Sequence, residues 1–259
     1  LLVVDPATSI DDDGMDLGRG VAPHGSGVAA CGPAGDLRLS VLLRPRVPMQ
    51  FLVGLPAVCA LGSLEALRGL GAAGALIGWP GDIVVPDPTG APSPGRLAGM
   101  LVKAGTGEAG VFAACGLRMS LADPAGSDGP TPADDPTASG RLQALVPVSL
   151  ERAMADGAAV PSPGLVASAI RDSIVARCDA WATDLARTSS VAGPLVPVLS
   201  DYVDALALMG QPVGALTPDG RELARGILCG MDVWGRATVR DAFGDEHEFA
   251  AEQASLFGL

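Results

Sequence analysis

The chain has 259 residues, a formal charge of −12 and 48% hydrophobic residues, enough apolar material for a core in one large domain with a small companion. Its sixteen Arg and single Lys (Lys103) form no basic stripe, which argues against a nucleic-acid surface because phosphate neutralisation needs clustered cations. Apolar runs are broken by Pro, Gly or charge before the roughly 18–20 residues of a spanning helix, as Val47–Leu70 is by Pro56 and Glu65, so no membrane segment and no signal peptide are expected.

In chain order, Ile10–Gly35 is rich in Asp and Gly and reads as a loop. Leu37–Leu43 alternates and then turns continuously apolar, like a strand with one wet end. Gln50–Leu67 places Leu52, Leu55, Val58, Cys59 and Gly62 at helical spacing, with Pro56 acceptable only near the first turns. Ala75–Trp79, Ile83–Val85, Leu97–Val102 and Val111–Leu117 are apolar runs of strand length. Pro86–Gly95 and Ala122–Gly140 read as Pro- and Gly-rich loops, the second too polar to order itself by burial.

Ser162-Pro163 opens the clearest helix, a capping residue followed by one pre-shaped for the first helical position. Val166, Ile170, Ile174, Cys178, Trp181 and Leu185 form its apolar face, and Gly193-Pro194 closes the region. The tail changes character. Pro212–Leu216, Glu222–Leu228, Arg236–Arg240 and Glu248–Ala251 read as short strands, with turns at Pro218-Asp219-Gly220 and Phe243-Gly244-Asp245. An α+β domain with a mixed sheet and flanking helices, followed by a small barrel-like β-domain, is therefore expected. Five dispersed cysteines without a CxxC pair point to reduced thiols in a cytoplasmic protein, and no His/Cys spacing suggests a metal site.

Two sets of residues carry a resemblance. In the tail, Tyr202, Gly210-Gln211-Pro212-Val213, Ala224-Arg225-Gly226-Ile227 and Glu252-Gln253-Ala254-Ser255-Leu256 stand in order. In the core, Gly78-Trp79-Pro80-Gly81-Asp82 is followed by Arg96-Leu97-Ala98-Gly99-Met100-Leu101. The core pair resembles the Lys-Trp-Pro-Asn-Asp and Lys-Leu-Ala-Gly-Ile-Leu motifs of biotin protein ligases. Leu37–Pro45 is similar to their Leu-Tyr-Leu-Ser-x-x-Leu-Arg-Pro strand, and Val111–Ser120 to their Gly-Ile-Gly-Ile-Asn strand. The resemblance runs from about Leu37 to Leu256, with no helix-turn-helix before it.

That resemblance implies a ligase-like domain over residues 1–202 and an SH3-like β-domain over 203–259. It implies ATP-dependent activation of biotin to biotinyl-adenylate, with ATP bringing Mg2+, then transfer to a lysine of a biotin carboxyl carrier domain, in a possible homodimer. Arg96 takes the place of the family Lys beside the acyl-phosphate. Trp79, Asp82, Gly99, Gly116 and Arg118 fall at biotin- or adenylate-binding positions. Gly25, Ser26 and Gly27 fall in the Gly-Arg-rich loop, for which Gly18-Arg19-Gly20 is an alternative register. The departures are the loop Arg residues, Gly78 for Lys, Gly81 for Asn, and Arg118 for Asn. They imply slow or impaired turnover, or a member that binds ligand or carrier without catalysis. A ligase for another small acid is a further alternative. Each residue also has a plainer reading: Trp79-Pro80 as a packed strand end, Asp82 as a turn residue, Arg96 and Arg118 as solvated arginines, His24 as loop decoration and Cys115 as core.

Overall fold

The computed structural model describes residues 2–4, 24–32, 35–86, 92–107, 110–123, 145–155, 158–187 and 192–259. Seven strands form the first sheet: β1 (Leu2–Val4), β2 (Gly27–Cys31), β3 (Asp36–Leu43), β4 (Leu76–Gly78), β5 (Asp82–Val85), β6 (Gly95–Gly107) and β7 (Gly110–Ser120). Their order is β1–β2–β3–β7–β6–β5–β4. The β1–β2 pair is parallel and the others are antiparallel, so the sheet is mixed. Alternation sorts the two faces. Leu37, Leu39, Val41, Leu43, Ala113, Cys115, Leu117 and Met119 are buried in the core. The intervening Arg38, Ser40, Gly116 and Arg118 therefore lie on the other face.

The core side is covered by helices. A 3-10 turn, Met49–Gly54, runs into α1 (Leu55–Gly69), so the single helix expected from Gln50 is two segments. Pro56 sits in the first helical turn, where its missing N–H has no partner to lose. The chain therefore continues through Pro56, and Met49–Gly69 is long and apolar enough to cross a membrane by length and composition, contrary to the sequence expectation. In this fold 67% of that window is buried. Helix α2 (Leu150–Ala153) is short, and its cap is the Ser149 hydroxyl, which accepts from the Arg152 N–H. Helix α3 (Pro163–Arg187) buries Val166, Ile170, Ile174, Cys178, Trp181 and Leu185, the predicted stripe. It crosses α1 at Gly62, where a Cβ would stand 2.7 Å from the Ile174 Cα, so only glycine lets the two backbones meet. A last short helix, α4 (Leu199–Ala205), brings in Tyr202.

The tail forms β8 (Pro212–Leu216), β9 (Glu222–Met231), β10 (Ala237–Arg240), β11 (Glu246–Phe249) and β12 (Ser255–Gly258). Where a small barrel is expected, these strands make a five-stranded antiparallel sheet ordered β11–β10–β9–β8–β12. Both predicted turns are present, with Gly220 at φ 88° and Gly244 at φ 91°.

Three expectations need correction. The segment read as a loop from Ile10 to Gly35 contains β2, whose Gly-Val-Ala-Ala-Cys sequence has little strand propensity and is held by pairing with β3. The strand expected at 248–251 lies at Glu246–Phe249. Strand β12, hidden in the ending that carried the tail resemblance, pairs with β8. The rest of the expected loops, at 10–23, 33–34, 87–91 and 124–140, lies outside the described residues, as do Gly18, Arg19 and Gly20.

The two sheets are tied at several points. Trp79 Nε1 donates to the Gly235 carbonyl at 3.0 Å, and the Leu195 N–H to the Val233 carbonyl at 3.0 Å. Ser93 Oγ donates to the Gly258 carbonyl at 3.3 Å and accepts from the Gly258 N–H at 3.2 Å. The Tyr202 hydroxyl donates to the Pro80 carbonyl at 2.7 Å, and burial pushes this phenol well above its ordinary pKa.

Candidate active site

Strand register builds the candidate site on the sheet face turned away from α1 and α3. Ala30, Arg38, Arg118 and Gly99 are successive partners across β2, β3, β7 and β6. The next row on that face is Val28, Ser40, Gly116 and Leu101. At about 4.8 Å between strands, each row spans roughly 14 Å. Gly99 and Gly116 carry no side chain, and a Cβ at Gly116 would meet only the Leu101 carbonyl, at 3.8 Å. The glycine there is not demanded by packing, and it leaves the sheet backbone open to a ligand.

Arg118 and Arg38 are half-buried, and Ser40 is 6% exposed. Arg118 Nη2 donates to Asp36 Oδ2 at 3.2 Å, and the other oxygen of Asp36 accepts from Ser120 Oγ at 2.8 Å. Arg96 reaches the same face through a register shift. Ile83 pairs with Ala98, but Val84 pairs with Arg96, so β6 carries one extra residue. On its other side the Arg96 backbone donates to the Val146 carbonyl and accepts from the Val148 N–H, both at 2.8 Å. The residue is 7% exposed. Asp82, 5% exposed, accepts the Met100 N–H through Oδ1 at 3.1 Å, which pins β5 to β6 beside this bulge.

The structure thus brings Asp82, Arg96, Gly99, Gly116 and Arg118 onto one face. It does not bring Gly25, Ser26 and Gly27 to Arg96. Those three stand at the far end, where Leu42 donates to the Ser26 carbonyl at 2.8 Å and Gly25 to the Leu42 carbonyl at 2.9 Å. Leu42 lies four positions beyond Arg38 on β3, about 13 Å along the strand. Gly25 has φ 77° and packs a bare Cα against Val175 of α3. His24 is more than decoration, because its Nδ1 accepts from the Arg44 N–H at 2.7 Å and its Nε2 lies 3.2 Å from Asp179. Trp79, 9% exposed, is committed to the core and to Gly235. Gly78 and Gly81 are crowded: a Cβ would stand 2.9 Å from Val84 Cγ1 at the first, and 3.3 Å from Met100 Cε at the second. Sequence reasoning missed Arg38 and Ser40, because only register places them beside Arg118 and Gly116.

A cavity of about 440 Å³ lies elsewhere, on the helix-bearing side between the two sheets, lined by Val53, Pro56, Val102, Tyr202, Trp234 and Arg236 among others. None of the expected site residues lines it. Among the described residues no group of three or more His, Cys, Asp or Glu is placed to hold a metal ion. Cys59, Cys115 and Cys178 are buried between α1, α3 and β7. The Cys59 thiol is pushed well up by its hydrogen bond with Cys115 and by burial, and burial pushes Cys178 to about 12. Since the thiolate is the reactive form, a thiol reagent at pH 8 is expected to label half-buried Cys31 and Cys229 quickly and the other three only after denaturation. Fast labelling of a third thiol in the native protein would contradict this packing.

No protein-family model matches the sequence, and no curated protein matches it. Solved structures do match the fold. Apo biotin protein ligase from Aquifex aeolicus is similar at a TM-score of 0.68 and 16% identity, over 100% of this chain and 97% of that one. The same ligase in complex with biotin and ATP is similar at 0.66 and 16%, over 100% and 98% of the two chains. A biotin protein ligase-like protein of unknown function from Silicibacter sp. is similar at 0.58 and 20%, over 88% and 84%. The fold is an α+β mixed sheet with flanking helices and a small second sheet. It is the fold of the biotin protein ligases.

Proposed function

We propose that the protein is a biotin–protein ligase whose site lies on the open face of the seven-stranded sheet, within residues 1–202, with 203–259 as its small β-domain. The observation that carries this reading is the convergence of Arg96, Gly99, Gly116 and Arg118 across β6 and β7 in a fold shared with ligases. In the first half-reaction the biotin carboxylate attacks the α-phosphorus of ATP and pyrophosphate leaves. In the second, a lysine amine of a biotin carboxyl carrier domain attacks the acyl carbon and AMP leaves. Arg96, in a largely dry position, stabilises charge developing on the carboxylate and α-phosphate, where a guanidinium acts most strongly. Glycine at 99 and 116 lets the substrate approach the sheet backbone. Mg2+ arrives with ATP, and no step is assigned to a protein-held metal. Five free thiols suit a reducing cytoplasmic setting.

Turnover is slow in this reading. Gly25–Gly27 offer no cation, and at 78 and 81 the chain has filled the space of the family Lys and Asn with Val84 and Met100. That crowding favours, as second reading, a member that binds ligand or carrier without turnover. Thermal melting with biotin, ATP and both, together with pyrophosphate release, separates the two. Ligand at 100 times its dissociation constant stabilises by about 2.7 kcal/mol, so biotin should raise the melting temperature of the ligase and of a ligand-binding member, but not of one that binds only carrier. Slow biotin-dependent pyrophosphate release is expected for the ligase and none for the binder. Absence of any shift with biotin, with ATP and with both would exclude the ligase and the ligand binder and leave only a member that binds carrier.

A further inference from the structure

The cavity between the two sheets has fixed walls. Its volume of about 440 Å³ falls in the range of small-molecule sites, roughly 300–1,000 Å³, and such sites favour the junction of two units. Three hydrogen bonds already described tie the walls across that junction: Trp79 to Gly235, Tyr202 to Pro80 and Leu195 to Val233. Trp234 stands on the turn between β9 and β10, where Asp232 Oδ1 accepts both the Trp234 and the Arg236 N–H at 2.8 Å. Phe51 backs the indole at 6.1 Å between ring centroids. Val53 and Trp234 are nonetheless 47% and 37% exposed, so the fold leaves apolar surface lining this space. The rim adds a sign. Arg236 is the one cation among the described lining residues, and two carboxylates already hold it, Asp232 Oδ2 at 2.7 Å and Glu248 Oε2 at 3.0 Å. Glu252, exposed, lines the cavity as a further carboxylate, which leaves its mouth acidic.

We propose that this cavity binds a small organic cation, an amine with an apolar body. The body lies against Val53, Pro56, Val102 and Trp234, and the ammonium sits at the Glu252 end, with the indole of Trp234 as a cation–π partner. A carboxylate ligand would meet Glu252 while the one lining cation is already matched, and a neutral ligand would forgo the charge. A flat protein surface fits less well, because the apolar groups lie inside a concavity with charge at its rim. Val102 and Ala104 line the cavity from β6, whereas Gly99 and Leu101 belong to the opposite face of the same strand. The cavity is therefore separate from the candidate ligase site, and the proposal stands without the ligase reading.

Isothermal calorimetry at pH 7 with 4-phenylbutylamine, 4-phenyl-1-butanol and 4-phenylbutyrate tests the site with one body and three head groups. The amine should bind wild type at a single site. The alcohol should bind about tenfold more weakly, having neither ion pair nor cation–π contact, and the carboxylate more weakly still. Glu252→Gln should weaken the amine by about fivefold, the upper end for an exposed ion pair, and leave the alcohol unchanged. Val53→Trp fills the cavity from a half-exposed position and should abolish binding of both. Trp234→Leu keeps an apolar wall and should shrink the advantage of the amine over the alcohol. A thermal melt checks that each variant folds. Saturating biotin should leave amine binding unchanged. If the amine fails to bind wild type, or binds the Val53→Trp protein equally well, the site is overturned. Equal affinity for amine and alcohol would overturn the cationic ligand, and displacement of the amine by biotin would overturn its placement. A biotin-induced thermal shift in a protein that ignores the amine would leave the ligase reading standing.

Discussion

Arg96→Ala is expected to lower biotin-dependent pyrophosphate release by about 100- to 1,000-fold, the usual effect of removing one charge-stabilising donor from a dry site. The residue is placed by backbone: the β5–β6 bulge on one side and two hydrogen bonds to residues 146 and 148 on the other. Alanine keeps all of those bonds, so the strand should persist, and a circular dichroism melt checks that it does. Arg96→Lys keeps the charge and loses the planar fork, so it should fall between wild type and alanine. The loss should appear in kcat rather than KM, because the cation matters most when negative charge develops in the transition state. Unchanged release by an active Arg96→Ala protein would move the reaction centre away from the β5–β6 junction.

Trp181→Ala should cost about 3–5 kcal/mol, the range for deleting a fully buried large aromatic side chain. Trp181 is 1% exposed in the stripe that α3 turns to α1 and the sheet. Its Nε1 donates to the Pro194 carbonyl at 2.6 Å, so truncation leaves a void and also an unpaired buried acceptor. Trp181→Phe removes the hydrogen bond and part of the volume, and should cost clearly less. Urea unfolding reads both variants through the midpoint at constant slope. A cost below about 1 kcal/mol for the alanine variant would mean that α3 is not packed on this face.

The stripe of α3 is legible in sequence because one side of a single helix does all the burying, so the 3.6-residue period survives undisturbed. The tail strands are legible from their turns, since Gly220 and Gly244 sit at positive φ where few other residues fit. Strand β2 is not, because alanine and glycine carry no strand signature and the pairing with β3 supplies the order. The site divides in the same way. Arg96 and Gly99 sit in one local motif and are found together. Arg38 and Ser40 acquire meaning only beside Arg118 and Gly116, some eighty residues later, through a register that no local pattern specifies. The glycines at 25–27 show the converse: a familiar local pattern that the fold leaves at the far end of the face.

The bonds between Ser93 and Gly258 bear on modular exchange. Ser93 lies three residues before Arg96, and Gly258 fits against Pro92 so closely that a Cβ would stand 2.2 Å from the Pro92 carbonyl oxygen. The final strand of the tail is therefore a brace for the approach to Arg96, and the tail is not an interchangeable part. A chimera that borrowed its tail from a relative would keep a sheet of the right shape and still lose this brace, unless it borrowed the matching 92–95 segment as well. Changes at Gly258 and at residues 92–93 should accordingly be accepted in pairs and rejected singly.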